Sequence, residues 1–264
     1  MPTSNLFISY KNINEQKLSP SKEYSLSNDD IIIYALYLPH FTELTKDLIH
    51  FLTPEESNRA KRYYKEKDQN RFIICRSILK FVLAAHTKSD VTTIYLDYHS
   101  NKKPYLASHP SLHFNISHSE DFAVIAISRN MVGIDIEYVS EDFDFIPLLP
   151  DIFNDNEILS IHNAVNKKTA FYTSWTRKEA FVKGLGKGID EDFKKIPCLE
   201  GLHSIDSLLL KTTKKWQVYS FDLADCYLGA VAFESLSTIS KNLVMFTMPN
   251  TMKELLEMAQ TKNN

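Results

Sequence analysis

The run IIIYALYL at residues 31–38 is apolar throughout and carries no charge, the pattern of a buried strand. It is far too short to cross a bilayer. Upstream, residues 1–29 are polar and rich in Ser, Asn and Lys, and read as a loosely held extension. Downstream, Pro54 with Glu55 and Glu56 opens a helical stretch, since proline presets the first turn and acids suit the positive helix end. No Gly or Pro interrupts residues 55–86, so one or two helices are predicted over 54–86. Short β-rich segments at 92–98, 113–117, 122–128 and 132–138 have the spacing of a meander. Helical stretches are predicted at 155–165 and 167–184, strands at 215–222 and 227–234, and a terminal helix in NTMKELLEMAQ. The order β, α, β-meander, α, β is an α+β pattern compatible with two similar halves. Pro147 and Pro150 place a boundary within 140–150, giving halves 30–142 and 143–264.

Composition narrows the class. The 264 residues are 44% hydrophobic with a formal charge of −3, which argues against an obligate nucleic-acid binder. The charge is uneven. Arg59, Lys61, Arg62, Lys65 and Lys67 crowd one segment, while eight acids and no Lys or Arg lie between Asp135 and Glu157. Three widely spaced cysteines make neither a disulfide framework nor a metal pair, and the N-terminus has neither a basic start nor a long apolar run. A cytoplasmic protein with no membrane segment is expected.

Five segments could carry chemistry. In Gly133-Ile134-Asp135-Ile136-Glu137, strand periodicity puts both acids on one face and both isoleucines on the other. Adjacent carboxylates repel unless a proton or cation separates them, and a hard ion such as Mg²⁺ meets that need. The plain alternative is two solvated acids. In WTRKEAFVKGLGKGI at 175–189, Trp175, Glu179 and Lys183 share one side of a helix that ends in glycines at 184, 186 and 188. Backbone donors and lysines there suit phosphate groups, and a capped amphipathic helix is the alternative. FNISHS at 114–119 ends a strand in small polar groups and one imidazole, able to hold an anion or to cap a turn. Asn101-Lys102-Lys103-Pro104-Tyr105 and the basic run 59–76 complete the set, each readable alone as solvated charge.

Taken together and in this order, Lys103-Pro104, FNISHS, GIDIE and WTRKEAFVKGLGKGI closely resemble the 4'-phosphopantetheinyl transferase superfamily, of the larger surfactin-synthetase-activating type. That resemblance implies two pseudo-symmetric α+β halves with the active site between them. It implies transfer of 4'-phosphopantetheine from coenzyme A to a serine of an acyl or peptidyl carrier protein, with Mg²⁺ as cofactor, by a monomer that binds neither nucleic acid nor membrane. By position, Asp135, Glu137 and Glu179 match metal-binding acids, and Glu179 also matches the proposed general base. Lys183 matches the pyrophosphate contact, Ser117 and His118 the phosphate contacts, Lys103 the lysine against adenosine, and Arg59 and Arg71 basic positions around the 3'-phosphate. Two departures stand out: Lys102 replaces the usual glycine, and Glu56 stands where a relative carries a basic phosphate contact. The alternative reading is a catalytically silent carrier-binding module of the same fold. Carrier docking is expected to be mainly apolar, through Phe143, Phe145 and Ile146, with Arg177 and Lys178 at its rim.

Overall fold

The apolar run 31–38 becomes an inner strand with both faces covered. In the computed structural model, which describes residues 3–13, 15–19, 26–28, 30–190, 192–207, 214–235 and 242–260, the chain runs β1 (Thr3–Tyr10), β2 (Glu15–Lys17), β3 (Asp30–Tyr37), α1 (Thr45–Leu48), α2 (Pro54–Ala60), α3 (Glu66–Thr87), β4 (Asp97–Tyr98), β5 (Pro104–Tyr105), β6 (His113–Ser119), β7 (Phe122–Ser128), β8 (Val132–Tyr138), α4 (Leu149–Ile152), α5 (Asp155–Asn163), α6 (Lys167–Leu185), β9 (Gly201–Asp206), β10 (Lys215–Ala224), β11 (Tyr227–Ser235), β12 (Asn242–Thr247) and α7 (Met252–Ala259). Two five-stranded sheets form, in the orders β2-β12-β3-β7-β6 and β8-β11-β10-β1-β9.

Ile32, Tyr34 and Leu36 of β3 pack against Ile74, Ile78 and Val82 of α3. Their alternates Ile31, Ile33 and Ala35 pack against Ile134, Ile136, Val231 and Phe233 of the other sheet. Two buried faces explain an unbroken apolar run. On the far side, Ala180, Phe181 and Val182 of α6 cover Leu6, Ile8, Trp216 and Val218. The layers are therefore helix, sheet, sheet, helix: two α+β halves, each with one long helix outside its sheet.

The helices match expectation closely. A capping box between Thr53 and Glu56 starts α2 at Pro54. α6 ends where Gly186 takes φ +69, a left-handed cap that favours glycine.

The extension expected over 1–29 is overturned for Thr3–Tyr10, while residues 1–2, 14, 20–25 and 29 lie outside the described residues. Thr3–Tyr10 is an inner strand, parallel to β10 and antiparallel to β9. Ser4, Leu6 and Ile8 are buried, while Asn5 and Phe7 between them face outward, so the strand's alternation hides within a polar composition. The far end of the chain crosses in the other direction: β12 pairs with β2 and β3, and α7 packs beside α3 in the first core. β8, ahead of the expected 140–150 boundary, belongs to the sheet of the second half. The strands Gly201–Asp206 and Asn242–Thr247 were not expected, and 92–98 holds only a short turn and the two-residue β4. Among the described residues no helix is long and apolar enough to cross a membrane.

Candidate active site

The site grows from one close backbone approach. A Cβ added at Gly133 on β8 would lie 2.1 Å from the carbonyl oxygen of Ala180 and 2.2 Å from the nitrogen of Gly184, both on α6. Strand and helix touch there because neither glycine carries a side chain. Ile134 and Ile136 point into the core between the sheets. By alternation, Asp135 and Glu137 point the other way, toward α6, where Glu179 and Lys183 sit one turn apart.

β6 supplies the second wall. β6 and β8 are the edge strands of different sheets and share no ladder among the described residues. Side chains join them instead. Asn115 Oδ1 accepts the Ile134 N–H at 2.8 Å, Ser117 Oγ the Ile136 N–H at 3.4 Å, and Ser119 Oγ the Tyr138 N–H at 3.0 Å. The serines also donate to the acids: Ser117 to Asp135 Oδ1 at 2.8 Å and Ser119 to Glu137 Oε2 at 3.0 Å. Asn115 and Ser119, read in the sequence only as part of an anion-holding strand end, join the candidate site through these bonds. Their signal was the period-two spacing of Asn115, Ser117 and Ser119 within FNISHS.

Lys183 closes the cluster, its Nζ lying 2.5 Å from Asp135 Oδ1 and 3.1 Å from Ser117 Oγ. The other oxygen of Asp135, Oδ2, is buried and has no hydrogen-bond partner. Burial raises the Asp135 pKa, with Lys183 opposing. Burial, then the Asp135 charge, raises that of Glu137. Glu179 is pushed up to about 7, chiefly by burial, with Lys183 opposing and both other acids adding to the rise. Carboxylates that hold each other's protons on are suited to a hard cation, and their donor set is oxygen only. As the side chains stand, no group of three His, Cys, Asp or Glu among the described residues is gathered closely enough to hold a metal ion.

This electrostatics has a measurable consequence. With divalent cations chelated, Glu179 ionises near its ordinary 4.5 when unfolded but only near about 7 in the fold. The unfolded state therefore binds fewer protons across that window, and stability falls as pH rises through it. A loss of roughly 1–3 kcal/mol is expected, and Glu179→Gln should remove much of it. Denaturant unfolding at the two ends of the window checks this. Equal slopes for both proteins would contradict the raised pKa.

Beside the acids lies a cavity of about 200 Å³ lined by Arg59, Arg71, Arg76, Phe72, Pro104 and His118, among others. His118 follows Ser117 on β6 and so faces this cavity instead of the acids. Crowding around its ring and the Arg71 charge lower its pKa. Arg71 pairs with Asp68 at 2.7 Å, and Arg59 lies over the Phe72 ring at 5.1 Å. Arg76 was part of the basic run, but only the fold singles it out. Glu56, the departure noted above, is turned inward. It completes the cap of α2 and pairs with Lys80 at 2.7 Å.

Lys103 borders the cavity through its neighbour Pro104, but its ammonium is used elsewhere. It donates to the backbone carbonyls of Val132, Lys183 and Gly184 at 3.2, 2.6 and 3.1 Å, capping the end of α6. Three acceptors match the three protons of an ammonium, although burial lowers its pKa to about 8. Lys102 has φ +66, which explains why glycine suits that position. Lys187 turns away to Asp190 and Asp192.

The expected docking rim needs correction. Lys178 is fully buried and pairs with Glu157 at 2.9 Å. Arg177 is also buried, held by Ser220, the Cys198 carbonyl and Glu200. Both face the interior because α6 is covered on that side by α5 and the chain around 193–200. Phe145 stacks on Phe171 at 4.7 Å as core, whereas Phe143 and Ile146 remain exposed.

The family model described as 4'-phosphopantetheinyl transferase, N-terminal, matches residues 39–130. The model described as 4'-phosphopantetheinyl transferase superfamily matches residues 131–232, which include Asp135, Glu137, Glu179 and Lys183. The 4'-phosphopantetheinyl transferase HetI of a Nostoc species is 29% identical over 215 residues, covering 79% of this chain and 89% of that protein. The 4'-phosphopantetheinyl transferase Sfp of Bacillus subtilis is 27% identical over 161 residues, covering 60% and 71%. The L-aminoadipate-semialdehyde dehydrogenase-phosphopantetheinyl transferase of Xenopus laevis is 28% identical over 157 residues, covering 54% and 52%.

Proposed function

The chain belongs to the 4'-phosphopantetheinyl transferase superfamily, and we propose that the seam between β6, β8 and α6 moves the phosphopantetheine arm of coenzyme A onto a carrier-protein serine. The observation that carries this reading is the meeting of Asp135, Glu137, Glu179 and Lys183 beside a cavity lined by Arg59, Arg71 and His118. The cavity residues hold the phosphates of the nucleotide end, with the Lys103-Pro104 segment as a wall against the adenosine. Ser117, between the two groups, orients Asp135 and Lys183.

In the transfer, the carrier serine oxygen forms a bond to the pantetheine-side phosphorus. The bond to the bridging pyrophosphate oxygen breaks, and adenosine 3',5'-bisphosphate leaves. Lys183 moves from Asp135 to the pyrophosphate and stabilises the charge on the departing phosphate. Glu179 takes the serine proton, directly or through a water. Asp135, Glu137 and Glu179 would hold Mg²⁺, which when bound supplies charge neutralisation at the pyrophosphate oxygens. The partnerless Asp135 Oδ2 and the oxygen-only donor set support that choice. The enzyme works as a cytoplasmic monomer, and the exposed Phe143 and Ile146 contribute to carrier docking.

Incubating the chain with coenzyme A, Mg²⁺ and an apo carrier protein tests the function. The carrier should gain one phosphopantetheine by intact mass, EDTA should stop the gain, and added Mg²⁺ should restore it. Carrier binding without any mass gain would instead establish the silent module. Within this reading, Lys183→Ala should lower kcat by roughly 10–100-fold at saturating coenzyme A. Lys187→Ala, whose ammonium pairs with Asp190 and Asp192, should change it much less. Equal small losses at both would confine Lys183 to its ion pair with Asp135.

A further inference from the structure

We propose that Ser119 is a positioning residue that aims Glu137 for cation binding. The argument rests on the cation reading above, and on a hydroxyl with both of its directions occupied. Ser119 Oγ accepts the Tyr138 N–H at 3.0 Å and donates to Glu137 Oε2 at 3.0 Å. The amide anchors the oxygen's lone pair, so the hydroxyl proton is left for the carboxylate.

The same two-point arrangement occurs one strand repeat earlier. Ser117 accepts from the Ile136 N–H and donates to Asp135. In each case a β6 serine holds the backbone of β8 and, through the same oxygen, the acid just before that amide. The repeat follows from two strands side by side with matching period-two alternation. Asn115 continues the row, binding the Ile134 N–H, but position 133 is glycine and offers no acid to aim.

The two acids differ in what else fixes them. Asp135 is also held by Lys183 at 2.5 Å. Glu137 is longer, only partly buried, and has no ion pair among the described residues; the Trp175 side chain is its other hydrogen-bonding neighbour. With no charged partner to hold it, its aim depends on these neutral groups, of which Ser119 alone is also anchored to the β8 backbone. Because Ser119 belongs to one sheet and Glu137 to the other, this hydrogen bond also ties the cation site to the seam between the halves.

The test measures Mn²⁺ binding to the full-length chain by calorimetry, without coenzyme A. Hydrogen-bond partners of metal ligands typically contribute 10–100-fold in affinity. Ser119→Ala should weaken Mn²⁺ binding by at least about tenfold. Ser119→Thr, which keeps the hydroxyl, should restore most of it. In turnover, Ser119→Ala should raise the Mg²⁺ concentration giving half-maximal rate by a similar factor, while KM for coenzyme A stays nearly constant. A merely structural role would lower the unfolding temperature in EDTA without this selective shift. Mn²⁺ affinity equal to that of the unaltered chain, or an equal loss in Ser119→Thr, would overturn the proposal while leaving the cation reading intact. No Mn²⁺ binding by the unaltered chain would overturn both.

Discussion

Asp135→Asn and Glu179→Gln are each expected to lower turnover by at least about 10²-fold, or ~2.7 kcal/mol of barrier, with the fold retained. Both substitutions keep the side-chain shape and remove the charge. At Asp135 the loss strips Lys183 of its partner and leaves the site without its most buried carboxylate. The half-exposed Lys183 side chain can turn to water, so the protein should remain folded. At Glu179 the loss removes the proposed proton acceptor, which is also a proposed cation ligand. Holo-carrier formation followed by intact mass, at saturating coenzyme A, measures the effect, and circular dichroism checks the fold. Near-normal turnover in either variant would remove that carboxylate from the mechanism.

Gly133→Ala should fail in a different way. Its new Cβ would meet backbone atoms of α6 at 2.1, 2.2 and 2.7 Å, and backbone cannot swing aside as a side-chain tip can. Helix and strand would have to separate, at an expected cost of at least about 3 kcal/mol. Gly184→Ala faces the same contact from the helix side, with Trp216 at 2.8 Å, but its neighbour there is a side chain, so a smaller loss is expected. Denaturant unfolding of the two variants checks the order. A Gly133→Ala protein as stable as the unaltered chain would show that the approach of β8 to α6 is looser than described, and with it the placement of Asp135 under Glu179 and Lys183.

Much of this protein was readable one segment at a time. The start of α2 and both limits of α6 follow from helix formers bounded by capping residues and a terminal glycine, all local signals. The same-face placement of Asp135 and Glu137, and of Glu179 and Lys183, follows from strand and helix periodicity within a few residues. Two of the four motifs that carry the family resemblance, GIDIE and WTRKEAFVKGLGKGI, lie in or next to such locally determined elements. Other features needed the whole fold. Nothing in the polar composition of residues 1–29 marks Leu6 and Ile8 as core, because their burial depends on α6 and β10, which lie more than a hundred residues away. Lys178 and Arg177 look like surface cations on a helix until α5 and the segment near Cys198 close over them. Lys103 looks available to a ligand until the carbonyls at the end of α6 take up its protons. The serines of FNISHS show their alternation in the sequence, but which strand they hold depends on two sheet edges meeting. Periodicity determines which way a side chain points from its own backbone. Only packing between distant segments determines what it meets, and whether a charge is left to water, to a ligand or to a buried partner.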